Sequence, residues 1–120
     1  MYIFVRTMRV VGKSKILKVK QKNIGNTKLC NAIDKLIADL ESFEPDKQNI
    51  HDIRKDADCV HNDGFYFFDI HLYRTFIMIE LDEKREGTII WVGTHQEYDT
   101  TFKNNKGTIE KWLRRNGYIE

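Results

Sequence analysis

Cysteine is scarce in this sequence. The two present, Cys30 and Cys59, are not spaced as metal ligands, and no secretory context accompanies them, so neither a metal site nor a disulfide framework is expected. Both read as small buried residues of a reduced protein. Long apolar runs are also missing. The opening "MYIFVRTMRVV" is interrupted by Arg6 and Arg9, and is too short for a signal-peptide core or a membrane span. No targeting signal is visible, so the expected compartment is the cytoplasm, with no membrane partner. Proline occurs once, at Pro45. Repeats, linkers and low-complexity stretches are absent, and residues 1–120 are expected to form a single domain. Nor does charge of one sign dominate: a net charge of +2 is too small to mark a nucleic-acid binder by itself.

What the chain has is the composition of a soluble globular protein, 41% hydrophobic and 32% charged over 120 residues. That suffices for a sizeable core without disulfides or metal. The charge is segregated. Lys13, Lys15, Lys18, Lys20 and Lys22 form a basic block, and Asp34, Asp39, Glu41, Glu44 and Asp46 follow it. Such asymmetry suits a surface that meets polyanions, and equally a solvated lysine-rich face.

Periodicity then sets the class. Tyr2 to Val11 can form an edge strand, and "GKSKILKVKQKNIGN" a short lysine-rich helix ending near Gly25. In "TKLCNAIDKLIADLES", Leu29, Ala32, Ile33, Leu36, Ile37 and Leu40 make one apolar helical stripe. Asn26 or Thr27 can cap its start, and Pro45 stops it running on. From Ala57 the period changes. "DADCV" and "GFYFFDI" read as strands joined by the turn former "HNDG". In "YRTFIMIEL", Tyr73, Thr75, Ile77, Ile79 and Leu81 share one face, and Arg74, Phe76, Met78 and Glu80 the other. Apolar residues on both faces predict a central strand covered twice. "DEKREG" turns the chain into "TIIWV", and such short connections demand antiparallel pairing. Helices are expected over His95 to about Phe102 and Thr108 to Arg115, the last ending at Asn116-Gly117. The fold class is α+β: N-terminal helices packed on an antiparallel sheet of about four strands, then a C-terminal helix.

Where "TIIWV" ends, "VGTHQEYD" sets out Thr94, His95, Glu97, Tyr98 and Asp99. Thr94 and Glu97 fit a capping box and need no further role. His95, Tyr98 and Asp99 share a helix face, which serves a polar cap or a proton carrier working near neutral pH.

"VGTHQEYD" resembles the strand-to-helix signature of the HigB toxins, members of the RelE-like group of toxin–antitoxin ribonucleases. "DADCVHNDGFYFFDI" is similar to the segment leading into that family's central strands, and Tyr73-Arg74 match its strand-opening pair. The likeness runs from about Arg54 to Phe102 and extends loosely over the preceding helix. Three departures stand out, one being a tail after Phe102 longer than in compact relatives. "DIHLYR" lacks the Gly-Asn type turn of many relatives, and Ile90 stands where many carry an arginine before the aromatic residue. The resemblance implies an mRNA endoribonuclease, acting in many relatives on the ribosome. It implies restraint by a cognate HigA-like helix-turn-helix antitoxin. The same fold also serves toxins that bind without cutting, the gyrase-directed branch among them, and could serve a non-catalytic binding module.

RNA supplies its own nucleophile, the 2′-hydroxyl, so cleavage needs no metal or other cofactor. It needs a base, positive charge on the phosphorane-like transition state, and an acid for the departing 5′-oxygen. On the resemblance, Arg74 suits the phosphate, because a guanidinium stays charged and pairs with its oxygens in a fork. Asp69 or Glu80 could instead satisfy it. His95 suits acid or base. Tyr98 could orient the 2′-hydroxyl, share in proton transfer or stack on a base, and Asp99 could steady His95 or Arg74. His71 is a secondary candidate. Arg54, Lys55 and the block containing Lys13, Lys15 and Lys18 could track the RNA backbone.

Overall fold

The computed structural model describes residues 7–61 and 64–120. Tyr2 to Arg6 of the expected edge strand, and Asn62 and Asp63 of the "HNDG" turn, lie outside the described residues. Along the rest, the order is β1 (Arg9–Val11), α1 (Lys13–Lys22), α2 (Thr27–Glu41), α3 (Ile50–Ile53), β2 (Asp58–His61), β3 (Phe65–Ile70), β4 (Tyr73–Glu80), β5 (Glu86–Thr94), α4 (His95–Phe102) and α5 (Lys106–Arg115). The α+β class is the one the periodicity predicts, and the element order follows it except for the short helix α3, which the sequence pattern does not announce. The sheet differs in one respect. It has five strands in the order β1-β5-β4-β3-β2, and β1 pairs parallel with β5. The other strands form the expected antiparallel meander. A long crossover separates β1 from β5, which is what a parallel pair requires.

Both faces of the sheet are covered, as the double apolar pattern of β4 predicts. On one side, Ile16 of α1 and Leu29, Ile33, Leu36 and Leu40 of α2 pack with Phe68, Ile70, Ile77 and Ile89. On the other, Phe65, Phe67, Phe76 and Ile90 meet Tyr98 and Phe102 of α4 and Ile109 and Leu113 of α5. Each fully buried side chain of this kind contributes roughly 1.5–3 kcal/mol of transfer free energy. The second layer is largely aromatic: Phe67 and Phe76 stack at 4.0 Å and 14°.

The strand β5 carries an extra residue. Phe76 pairs with Trp91 and Ile77 with Ile89, so Ile90 opposes nothing. Ile90 and the adjacent Trp91 both belong to the aromatic layer, while Ile89 belongs to the first core. A β-bulge has this effect on side-chain direction. Ile90 is therefore buried in apolar surroundings.

Local chemistry explains most element ends. Asn26 Oδ1 accepts from the Leu29 N–H at 3.1 Å, and α2 stops at Glu41, ahead of Pro45. The last helix begins at Lys106 rather than Thr108, because Asn105 Oδ1 caps it by accepting from the Thr108 N–H at 3.1 Å. It ends at Asn116 and Gly117, where the glycine takes φ 80°. Cys30 is buried as expected. Cys59 is exposed, because it lies on β2, which among the described residues has a neighbour on one side only. Among the described residues, no helix is long and apolar enough to cross a membrane.

The β3–β4 hairpin brings the chemically versatile side chains to one end of the sheet. Ile70 pairs with Tyr73, leaving His71 and Leu72 as a two-residue turn. His71 takes φ 61°, the left-handed region that tight hairpins demand and that glycine usually supplies. His71→Gly is expected to raise stability by about 0.5–1 kcal/mol, read as a higher denaturant midpoint at unchanged slope.

Candidate active site

Arg74 sits at the start of β4, opposite Asp69 on β3 and Gly93 on β5. Its Nε donates to Asp69 Oδ1 at 3.0 Å, and its Nη2 lies 3.6 Å from Asp58 Oδ2. The guanidinium carbon lies 4.4 Å from the centre of the Tyr98 ring and 5.2 Å from that of Phe67. Cation–π attraction and two carboxylates thus fix a cation whose side chain is 15% exposed.

His95 opens α4 directly after the strand. The expected capping box sets that turn: Thr94 Oγ1 accepts from the Glu97 N–H at 3.1 Å, and Glu97 Oε1 from the Thr94 N–H at 2.9 Å. Gly93 is required here, because a Cβ would come within 2.5 Å of the Trp91 indole. The ring of His95 is half exposed, and its Nε2 lies 3.9 Å from Asp69 Oδ1, the same oxygen that accepts from Arg74. Imidazole and guanidinium, from different elements, therefore meet on one carboxylate oxygen. Beside them lies the hairpin turn, whose Leu72 carbonyl accepts from the His95 N–H at 3.4 Å.

Asp69 is itself held from behind. Its backbone N–H donates to Asp56 Oδ2 at 2.9 Å, and its carbonyl accepts from Arg54 Nη2 at 3.0 Å. Arg54 also donates to Asp56 at 2.6 Å and to Asp39 at 3.3 Å. With its side chain only 10% exposed, Arg54 is not on the open surface expected of a residue tracking RNA. It braces the strand that carries Asp69.

The remaining candidates divide. Tyr98 is 4% exposed, and its hydroxyl donates to Asn104 Oδ1 at 3.1 Å. It supports Arg74 from beneath, and offers no open ring face for a base to stack on. Asp99 is exposed; among the described residues, it is Asp69 that pairs with both His95 and Arg74, in the position expected of Asp99. His71 and Lys55 are exposed. On α1, Lys13 is tied to Glu41 at 2.7 Å and Lys20 to Asp34 at 2.8 Å, and the Asp34 hydrogen bond raises the Lys20 pKa above its ordinary value. Lys15, Lys18 and Lys22 remain exposed on α1.

Sequence reasoning named Asp69 only as a possible satisfier of Arg74, and missed Asp58. The signal lay in register: "FDIHLYR" with a two-residue turn sets Asp69 across from Arg74. Among the described residues, no three His, Cys, Asp or Glu side chains are grouped so as to hold a metal ion. The arrangement offers a fixed cation, a solvent-facing imidazole and a carboxylate linking them, at the mouth of the β3–β4 turn.

Residues 31–101 match the family model HigB toxin, described as the RelE-like toxic component of a toxin–antitoxin system. The match begins within α2, stops one residue short of the end of α4, and includes Arg74 and His95. No curated protein matches the chain.

Proposed function

Because the chain belongs to the HigB toxin family, the RelE-like toxic components of toxin–antitoxin systems, we propose that it arrests growth by cutting mRNA. The observation that carries this reading is the meeting of Arg74 Nε and His95 Nε2 on Asp69 Oδ1, at 3.0 and 3.9 Å. A phosphodiester entering there finds a guanidinium for its non-bridging oxygens and an imidazole beside it. The 2′-oxygen loses its proton to a base and attacks phosphorus. The bond from phosphorus to the 5′-oxygen breaks, and an acid protonates that oxygen, leaving a 2′,3′-cyclic phosphate and a 5′-hydroxyl. His95 carries one of these protons. With the Tyr98 hydroxyl bound to Asn104, the second transfer falls to His71 in this reading. Lys15, Lys18 and Lys55 supply exposed positive charge for the rest of the RNA.

The partner that restrains a toxin of this family is an antitoxin. We assign it to the HigA-like helix-turn-helix class and the site of action to the cytoplasm, on the family resemblance. One observation favours the binding-only alternative: Arg74 is largely buried and already matched by two carboxylates. Induced expression separates the two readings. Growth arrest with fragmented transcripts is expected; arrest with intact transcripts and damaged or relaxed DNA would support a gyrase-type binder, and no arrest a non-catalytic module.

A further inference from the structure

Asp69 poses a problem that the cleavage reading leaves open. Its Oδ1 lies where Arg74 Nε points, 3.0 Å away, and Asp58 stands 3.6 Å from Nη2. One guanidinium thus faces two carboxylates, an excess of negative charge where an anion is to bind. Counting the charge that a protonated His95 would carry, the pairing on Asp69 and Asp58 becomes two against two. Both acids are about half exposed, at 47% and 49%, so each can turn toward water at little cost. The backbone of Asp69 cannot follow, since Asp56 and Arg54 hold its N–H and carbonyl. The carboxylate can therefore release Arg74 while its strand stays in register.

We propose that Asp69 is a positioning residue that acts as an internal stand-in for phosphate: its carboxylate aligns Arg74 and His95 in the free toxin and gives up the guanidinium when a phosphate arrives. This rests on the site assigned above but concerns anion binding, not cleavage. The stand-in lowers affinity for every phosphate by competing for Arg74. It also keeps the His95 ring turned toward the position the phosphate will take, so that binding is weakened while orientation is gained.

The test is Asp69→Asn, which keeps an acceptor for Arg74 Nε and removes the charge. Inorganic phosphate binding is measured on the full chain by NMR titration, alongside binding of a 2′-deoxy oligonucleotide. Removing one unit of negative charge a few ångströms from the anion is expected to tighten both on the order of tenfold. In cleavage, KM should fall with it, while kcat falls because His95 loses its aligning partner. Asp58→Asn, which removes the more distant carboxylate at 3.6 Å from Nη2, should tighten binding by a smaller factor. Arg74→Gln, which removes the contested cation, should shrink the gain from Asp69→Asn. A purely structural role would give unchanged or weaker binding in Asp69→Asn, and that result overturns the proposal, provided the variant melts as a folded protein. If Asp69→Asn is unfolded, the same reading is taken from Asp58→Asn, where unchanged phosphate affinity overturns it. Should the toxin prove not to cut RNA while Asp69→Asn still binds phosphate more tightly, the nuclease reading falls and the stand-in survives. If it cuts RNA with no change in phosphate affinity, the stand-in alone fails.

Discussion

Cells expressing His95→Ala are expected to keep growing with their transcripts intact, where the parent chain arrests them. General acid–base catalysis contributes roughly 10²–10⁴-fold in rate, and a loss of that size takes a toxin from lethal to tolerated. The variant should fold, because the His95 side chain is half exposed and its nearest charged partner is 3.9 Å away. Near-native melting is therefore part of the prediction. Arg74→Ala should lose a comparable factor, about 10²–10³, by removing the cation under the developing charge. Arg74→Lys should recover little of it, since an ammonium cannot bond Asp69 and a phosphate through a planar fork. Undiminished fragmentation of mRNA by purified His95→Ala would remove the imidazole from the mechanism. His71→Gly supplies a further separation: stability rises, yet cleavage falls at least tenfold if that imidazole carries the second proton.

The second large effect is on folding. Phe67→Ala should cost about 3–5 kcal/mol, out of a total that for a chain of this size is of the order of 6–18 kcal/mol. Phe67 has no exposed surface. It stacks on Phe76, and meets Tyr98 and Phe102 edge-on at 4.8 and 5.1 Å. No neighbour can collapse into the space without breaking one of these contacts. Phe67→Leu should cost much less, because it keeps most of the volume. Urea denaturation of the two variants measures the difference. Since Phe67 also lies under the Arg74 guanidinium, the leucine variant should bind phosphate less well than its stability alone implies.

Much of this organisation is written in local pattern. The apolar stripe of α2 needs only helical spacing, and the two faces of β4 need only alternation, so both were legible in the sequence. The capping box at Thr94 and Glu97 was legible for the same reason: its partners lie within one turn. What escaped was set by pairing across the sheet. Asp99 was the natural choice to steady His95, because helix geometry makes them neighbours. Asp69 holds that place from another strand, and only the register of a two-residue hairpin reveals it. "TIIWV" is apolar at nearly every position, so nothing in it announced that Ile90 would bulge and join Trp91 on one side. Tyr98 looked like a substrate-facing group because it shares a turn with His95. Its partner, Asn104, lies beyond the end of the helix, where no periodic argument reaches. The parallel pairing of β1 was hidden because its partner strand is most of the chain away.

The final helix has a consequence for the guanidinium it never touches. Trp112 lies 5.8 Å from Phe76 and 5.3 Å from Phe102, and those two rings wedge Phe67 and Tyr98 into place. The stretch past residue 101, outside the portion matched to the family, thus works as a keystone. A substitution there would change how firmly the cation is seated, with no change to Arg74 or to the carboxylates that pair with it.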